Sequence, residues 1–440
     1  MSAATTSAVT ISTPGYRVLS QADIIAEIER LPHVAAILGG KASDWTIRDV
    51  ADGYMNAVFI VEGPDGGVCA KQSLPWVRYH GESWPLSENR ASFEASYMKR
   101  LQGVVGELAP TLHHFDPSLQ FIVMQQLTPH IILRGGLIEG RRFPKVAGDV
   151  GRYVATAAFH TSDLGVPFET KFEDVSLFAK NHAVLRISVD LIFIDPYVEV
   201  WRNRFIPEIA PFAKAFREDV ALKTAVARHR NAFLSNRQAL LHGDLHSGSV
   251  MVTEDETRVI DGEFSTFGPI GFDLGAFVAN LIIAWYAQGG YDRDGAERDA
   301  FRAFILDQIA TPWTTFRREF LAFWEANPAA GDGYPAAHFA DAAGAAQLST
   351  IRADYVDAIF RDLVAFAAIK MIRRVISYAQ VADFMVIEDT KRRAEAQAGA
   401  LALARSLLKN PERYPDLGAL LDAIPRFERA GLDPDAPSAR

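Results

Sequence analysis

Leu241-His242-Gly243-Asp244-Leu245-His246, followed by Val259-Ile260-Asp261-Gly262-Glu263, decides how this chain is read. The first string closes a short apolar run from Gln238 to Leu241. The second closes a run from Arg258 to Ile260, and a further apolar run spans Val250 to Thr253. Thr253-Glu254-Asp255-Glu256-Thr257 is a polar turn between the last two runs. The interval from Asp244 to Asp261 suits a loop, a strand, a turn and a second strand. Such a hairpin is expected to gather Asp244 and the Asp261/Glu263 pair at one end. One carboxylate can then orient a hydroxyl while the others hold a metal ion. Phosphoryl transfer needs that division of labour, because it is accelerated by positioning and charge neutralisation. Read alone, an Asp after Gly serves equally to cap a helix or close a turn. A solvated acidic turn is the other reading of Asp-Gly-Glu, and the buried character of Val259, Ile260 and Phe264 around it argues against that reading.

The chain has 440 residues, 49% of them hydrophobic, enough for two lobes or domains with substantial cores. That apolar content excludes global disorder. The net charge of −9 and the absence of a long basic run argue against a nucleic-acid surface. Arg141-Arg142 and Lys391-Arg392-Arg393 read as solvated helix faces. The single cysteine, Cys69, rules out an intrachain disulfide and suits a reducing, cytoplasmic compartment. Residues 1–16, rich in Ser, Thr and Ala at their start, read as a disordered tail without the features of a secretory signal. Leu274 to Tyr291 is the longest uncharged segment. Asn280, Gln288, three glycines and the preceding Asp273 make it a buried helix, not a membrane span.

Spacing predicts a helix over Leu19–Leu38, with Ser20 as N-cap and Gly39-Gly40 as its stop. Trp45–Val50, Ala57–Glu62 and Val68–Ser73 read as an antiparallel meander, Ser87–Leu101 as a helix and Phe121–Leu127 as a further strand. This makes a small first lobe over 17–128. From Pro129 the pattern is mainly helical, at 145–161, 198–230, 274–288, 297–309, 312–327 and 353–379. The second lobe is therefore 129–440, and the class is α+β.

The combination His-Gly-Asp-Leu-His-Ser-Gly-Ser at 242–249, Val-Ile-Asp-Gly-Glu-Phe at 259–264 and Gly-Pro-Ile-Gly-Phe-Asp-Leu-Gly at 268–275 resembles the aminoglycoside-phosphotransferase and choline-kinase-like group, relatives of the protein kinases. The resemblance extends from about Asp52 to about Arg405, and the longer strings point to one sugar-phosphorylating branch. It implies a protein-kinase-like fold: a small antiparallel-sheet N-lobe and a larger helical C-lobe, with a cleft between and a connection near Leu127–Pro129. Two departures stand out. Many members carry Asn where this chain has Ser249, and members of the branch more often have Pro where this chain has Gly262. Branch members share the Ser and the Asp-x-Glu arrangement, so Glu263 is expected to compensate for the poorer hydroxyl ligand.

Carried over residue by residue, the resemblance makes Asp244 the catalytic carboxylate beside the acceptor hydroxyl, and Asp261 and Glu263 the Mg²⁺ ligands. Hard oxygens of one or two carboxylates, together with phosphates and water, are what Mg²⁺ prefers. Positions i and i+2 of a strand face one side, so that pair is expected to act together. Gly262 is expected to let the backbone approach the nucleotide. Alternation sets Cys69, Lys71 and Ser73 on one strand face, with Lys71 reaching phosphates and Glu94 holding it; without the family, an ordinary strand lysine is as good a reading. Asp52-Gly53-Tyr54-Met55-Asn56-Ala57 is the expected phosphate loop, with Asn56 as an ATP contact, though by itself it is simply a β-turn. Backbone groups at Gln125, Gln126 and Leu127 are expected to read the adenine edge. Trp84, in Gly81-Glu82-Ser83-Trp84-Pro85-Leu86, fits either a hydrophobic anchor or an active-site flap near substrate. Of the paired Arg373 and Arg374, adjacent helix positions pointing about 100° apart, Arg373 is favoured for the sugar and Arg374 is the second choice. His242 is expected to brace the loop through a backbone hydrogen bond; His242 and His246 lack the third ligand and the helix that a metal site would need.

The expected activity is ATP-dependent phosphorylation of the anomeric hydroxyl of a methylthio-substituted pentose, giving the sugar 1-phosphate and ADP. ATP and a small sugar are the partners, with no nucleic acid or membrane, and the resemblance adds a homodimer. A sibling kinase for another deoxypentose, an aminoglycoside or choline is the nearest rival. A non-catalytic nucleotide-binding scaffold would be expected to lack one of the carboxylates, and a glycosidase would leave Lys71, Asn56 and the arginines without roles.

Overall fold

A computed structural model describes residues 13–50, 55–429, 431–432 and 434. Most of the expected tail and Asp52, Gly53 and Tyr54 of the expected phosphate loop lie outside the described residues. The chain divides into two compact units. The first holds the described residues up to His130, with Asn181–Val184 and Ile260–Ser265; the second holds the rest.

In the first unit, β1 (Thr46–Asp49), β2 (Ala57–Glu62), β3 (Gly67–Gln72), β4 (Leu112–Asp116) and β5 (Phe121–Gln125) form an antiparallel sheet in the order β1-β2-β3-β5-β4. Strand β4 has no counterpart in the sequence reading, because Leu-His-His-Phe-Asp lacks apolar alternation. The expected first helix is broken in two, α1 (Gln21–Glu29) and α2 (Pro32–Leu38). Pro32 starts the second piece, and the preceding Leu31 is held in a non-helical conformation. Ser20 caps α1 in a reciprocal box with Asp23. One sheet face packs Val61, Val68, Ala70, Phe121 and Val123 against Ile24, Ile28, Val34 and Leu38 of α1 and α2. The other packs Ile122 and Met124 against Ala91 and Ala95 of α3 (Arg90–Gln102). Residues 13–16 are not a loose tail: the Tyr16 hydroxyl donates to the Ser73 carbonyl at 2.7 Å, and the Thr13 amide donates to Glu88 at 2.7 Å.

The second unit carries three small strand pairings. β6 (Ile131–Ile132) pairs β8 (Val250–Val252), which pairs β9 (Thr257–Val259), while β7 (Ala239–Leu241) pairs β10 (Thr266–Gly268). The helices are α4 (Leu133–Glu139), α5 (Val146–Phe159), α6 (Phe168–Phe178), α7 (His182–Phe193), α8 (Ala210–Glu218), α9 (Val220–Ser235), α10 (Gly271–Ala287), α11 (Gly295–Ala326), α12 (Ala342–Ile376), α13 (Ala382–Met385), α14 (Thr390–Lys409) and α15 (Leu417–Arg426). The first three residues of α7 count with the first unit. The helix expected over 198–230 begins only at Ala210, after irregular residues and a 3₁₀ turn, and is interrupted at Asp219, whose extended backbone ends α8 and starts α9. The two helices expected at 297–309 and 312–327 are one, running through Pro312. Helix α10 is buried along its whole length and packs against α11, α12 and α14. No helix among the described residues is long and apolar enough to cross a membrane.

Gly271 and Gly275 decide how closely α12 lies on α10. A Cβ at Gly271 would stand 2.7 Å from the Leu363 amide nitrogen, and one at Gly275 would stand 2.7 Å from the Leu363 carbonyl oxygen. The two glycines are one helical turn apart, so they open one face of α10 to the partner backbone. The stripe of α12 that uses this face begins at Leu363 and Ala367. At 3.6 residues per turn it continues through Lys370 and Arg374, and leaves Arg373 about 100° off it.

Candidate active site

The first unit holds a buried charge cluster on the α3 side of its sheet. Alternation along β3 sends Lys71 to that side, where its ammonium lies 2.7 Å from Glu94 and 2.5 Å from Oδ1 of Asp261. Burial alone would lower the Lys71 pKa, but Asp261 and Glu94, with Glu263, raise it above the ordinary lysine value. Burial pushes the Glu94 carboxyl up to about 7, with the same ammonium pulling it back. One helical turn before Glu94, Arg90 is almost wholly buried and spans the rest of the cluster. Its guanidinium donates to Asn56 Oδ1 at 2.7 Å, Glu263 Oε2 at 3.1 Å, and the Met55 and Leu74 carbonyls at 2.9 and 2.7 Å. The Asn56 amide donates to Glu263 Oε2 at 2.9 Å. Nothing in the sequence reading identified Arg90. Its place at i, i+4 to Glu94 was the available signal.

The Asp261/Glu263 pair does not sit on a strand. Asp261 adopts a left-handed conformation (φ 71°) that ends the run from β9, and Gly262–Phe264 is a single 3₁₀ turn. Asp261 and Glu263 therefore do not share a strand face, contrary to expectation, and the two carboxylates reach different partners: Asp261 meets Lys71, and Glu263 meets Arg90 and Asn56. Asn181 holds the turn by donating to the Glu263 and Ser265 carbonyls. Gly262 is needed for packing, since a Cβ there would stand 2.4 Å from the Tyr97 ring of α3. The donor set suits a hard divalent cation. Asp261 keeps a side chain 45% exposed, and the buried Oε1 of Glu263 has no hydrogen-bond partner among the described residues. Burial, then Asp261, raises the Glu263 carboxyl above its ordinary value, as expected of an undercompensated carboxylate.

Other expected nucleotide contacts also lie in this unit. The Gln125 side chain accepts from the Thr111 amide and that of Gln126 donates to Glu62, so both glutamines are occupied within the sheet. Leu127 follows them, partly buried. Trp84 follows a 3₁₀ segment, Arg78–Ser83, in a loop closed by the Trp76–Pro85 bridge, and its ring lies 5.2 Å from that of His80.

The second unit builds its constellation around Asp244. Gly243, at φ 85°, turns the chain after β7. Asp273, from the first turn of α10, accepts from the His242 amide at 2.6 Å and the Gly243 amide at 3.0 Å. The Asp244 amide donates to Nδ1 of His242 at 3.3 Å, so His242 braces this loop through backbone. Ser249 Oγ donates to the Asp244 carbonyl at 3.0 Å. The Asp244 side chain remains 28% exposed, enough for an acceptor to touch it. Oδ1 receives Lys370 Nζ at 3.0 Å, with Arg374 Nη2 at 3.7 Å, and Oδ2 faces His246 Nε2 at 3.3 Å. Burial would raise the Asp244 pKa, but Lys370, His246 and Arg374 hold it well below the usual carboxylate range. Burial, aided by Arg374 and Arg134, lowers His246 to about 3 against the pull of Asp244, so its ring is neutral. The Gly248 amide donates to His246 Nδ1 at 2.9 Å, which leaves the ring proton on Nε2, toward Asp244.

The paired arginines separate as the α12 stripe dictates. Arg374 comes to Asp244, and its buried Nε has no hydrogen-bond partner among the described residues. Arg373 donates to the Ala379 carbonyl at 2.7 Å. The preference for Arg373 is therefore reversed at the level of geometry. Lys370 was absent from the expected site, although one helical turn before Arg374 it was bound to share its face. Beyond it lies Arg134 of α4, 3.4 Å from the buried Asp383 and hydrogen-bonded to Ser247 and Asn280.

Residues 46–334 match the sequence model of the phosphotransferase enzyme family. Methylthioribose kinase 1 of Oryza sativa subsp. japonica is 37% identical over 418 residues, covering 94% of this chain and 96% of the relative. Methylthioribose kinase of Escherichia coli O45:K1 (strain S88 / ExPEC) is 38% identical over 387 residues, 88% of this chain and 92% of the relative. Among solved structures, choline kinase from Cryptosporidium parvum Iowa II aligns with a TM-score of 0.44 and 12% identity, over 89% of this chain and 97% of that one. The chain belongs to the phosphotransferase enzyme family, in the branch of the methylthioribose kinases. It is a kinase-type enzyme, with a small antiparallel sheet followed by a mainly helical remainder.

Proposed function

We propose that this enzyme transfers the γ-phosphoryl group of ATP to the anomeric hydroxyl of 5-methylthioribose, giving 5-methylthioribose 1-phosphate and ADP, a step of methionine salvage. The observation that carries the reading is Asp244: a reachable, ionised carboxylate ringed by Lys370, Arg374 and a neutral His246. Full-length relatives bearing that name support the choice of sugar. The cationic ring disfavours choline and aminoglycosides, whose positive charge would meet Lys370, Arg374 and Arg134.

The nucleotide is assigned to the constellation of the first unit, and the acceptor to that of the second. Asn56 and Lys71 address phosphate oxygens, Glu94 and Arg90 hold those groups in place, and backbone at Gln125–Leu127 reads the adenine. Asp261 and Glu263 are the residues that would hold Mg²⁺, which when bound neutralises charge on the phosphates. Asp244 accepts a hydrogen bond from the anomeric hydroxyl. As that oxygen bonds to the γ-phosphorus, the bond from phosphorus to the β,γ-bridging oxygen breaks, and the hydroxyl proton passes to Asp244. A carboxylate held so far below the ordinary range is a weak base. It orients the hydroxyl early and takes the proton late, as suits a loose transition state. Arg374 stabilises charge on the acceptor side, with Arg373 behind it. A homodimer and a cytoplasmic location complete the proposal, on the family resemblance and on the lone cysteine.

A coupled assay for ADP release across 5-methylthioribose, other deoxypentoses, choline and an aminoglycoside tests the reading. Turnover is expected with the methylthio sugar. Turnover with choline or the aminoglycoside and none with any pentose would overturn it. In the same assay Arg374→Ala should lower kcat/KM for the sugar by about 10- to 100-fold. A larger loss in Arg373→Ala would return the role to that residue.

A further inference from the structure

We infer that Lys370 is a positioning residue of the acceptor site, fixing the Asp244 carboxylate in one ionised orientation from beneath. The inference rests on Asp244 as the hydroxyl-binding carboxylate proposed above.

Lys370 is 2% exposed, so it cannot itself touch a sugar. Its ammonium lies 3.0 Å from Asp244 Oδ1 and 4.5 Å above the Phe272 ring. The α12 stripe that the two glycines of α10 admit leads directly to this position. A buried ammonium without a counter-charge is strongly unfavourable. Asp273 is the other carboxylate that acts on it, but both Asp273 oxygens accept backbone amides, from His242 and Gly243. Asp244 is thus the carboxylate that Lys370 grips. The grip also works in reverse. With Oδ1 engaged by Lys370 and Oδ2 by His246, rotation of the carboxylate is blocked, and the remaining lone pairs point where an acceptor hydroxyl can reach them.

The charged and titratable groups facing Asp244 are Lys370 and Arg374 from α12, His246 from its own loop and Arg134 from α4. Those facing Lys370 are Asp244, Asp273, Arg373 and Arg374. His246 is neutral, so Lys370 and Arg374 are the cations within 4 Å of Asp244 among the described residues, and Lys370 is the nearer. Replacing it by an apolar side chain of similar length removes the nearer charge and loosens the carboxylate. A merely structural lysine would affect folding stability and leave the titration of Asp244 unchanged.

Lys370→Met and Lys370→Arg make the test, with melting curves to establish that each is folded. Lys370→Met should lower kcat by about 10- to 100-fold while the KM for ATP stays within about twofold, and move the acid limb of kcat/KM for the sugar up by about one pH unit. Lys370→Arg should restore most of both. A second arm needs no turnover. With ¹³Cγ-labelled aspartate, the resonance lost in Asp244→Asn should stay ionised in the native protein to the lowest pH at which it remains folded, and titrate inside that window in Lys370→Met. If Lys370→Met does not fold, Lys370→Gln carries both arms, keeping a donor without the charge. An unmoved acid limb together with an unmoved Asp244 resonance would overturn the inference. If the native enzyme phosphorylates none of the pentoses and the resonance still shifts, the proposed substrate falls while the role of Lys370 stands.

Discussion

Each of the two constellations depends on a side chain whose partner lies far away in the chain. Lys71 meets Asp261 across 190 positions, and Lys370 meets Asp244 across 126. The strand face of Lys71 was read from spacing, and the helix face of Lys370 follows from its place one turn before Arg374, because side-chain direction is a local property. Their partners were not legible in this way, because pairing is decided by packing. At this scale the sharpest prediction concerns Asp244. Asp244→Asn keeps the shape but gives up an ionised acceptor, so kcat should fall by about a hundredfold or more, with little change in Mg·ATP affinity. Steady-state kinetics and calorimetry check it, and near-native turnover would remove Asp244 from its role. The same substitution leaves Lys370 without a full counter-charge, so a lowered melting temperature should accompany the kinetic loss.

Among elements, the broken helix around Asp219 shows how a strong helical pattern is overruled. Residues 198–230 carry helix-type spacing, yet Asp219 ends α8 and caps α9. Its side chain accepts the Leu222 amide at 3.0 Å and meets Lys409 and Arg405 of α14 at 2.7 and 3.0 Å. Asp219 was not singled out from the sequence as a cap, and the two cations from α14 that reward the break lie too far along the chain for local pattern to show them. Burial would raise the Asp219 pKa, but the Lys409 hydrogen bond, the Leu222 amide and Arg405 bring it to about 2. The sign follows from the folded value lying below the unfolded one, about 3.9. The stabilisation is complete above the unfolded value and is lost as pH falls toward 2. Asp219→Ala should therefore cost about 1–3 kcal/mol near pH 7. Denaturant unfolding should show that gap constant from pH 7 to 5 and narrowing below pH 4; a gap independent of pH would refute the assignment. The stripe on α12 teaches the complementary lesson. Its period sets Lys370 with Arg374 and apart from Arg373, but only the close approach allowed by Gly271 and Gly275 revealed which face meets α10.

On the scale of the whole molecule, the two units do not follow the chain in one cut. A division at 128/129 was expected, but the first unit runs to His130 and also takes in Asn181–Val184 and Ile260–Ser265. Asp261 and Glu263 thereby belong with Lys71, Glu94 and Asn56, while Asp244, 17 positions before Asp261, belongs with Lys370 and Arg374. Function should partition in the same way. Lys71→Met should weaken Mg·ATP binding by at least about tenfold in a calorimetric titration, while the sugar still raises the melting temperature as in the native enzyme. Loss of the sugar's stabilisation in that variant would contradict the partition.

By itself the sequence determined the class of chemistry, the His-Gly-Asp loop, the Asp-x-Glu motif, most strands of the first sheet and the Ser20 cap of its first helix. All of these are written in residue type and short-range spacing. Only the tertiary structure decided that Asp261 turns left-handed and parts from Glu263, that Gly262 is reserved for the Tyr97 ring, and that Arg90, Asp273 and Lys370 hold the groups expected to react. It also brought Arg374, and not its neighbour, to Asp244. The physical reason is common to these cases: a buried charge is tolerated only beside its counter-charge, and which groups become buried together is settled by long-range packing, which local pattern does not encode.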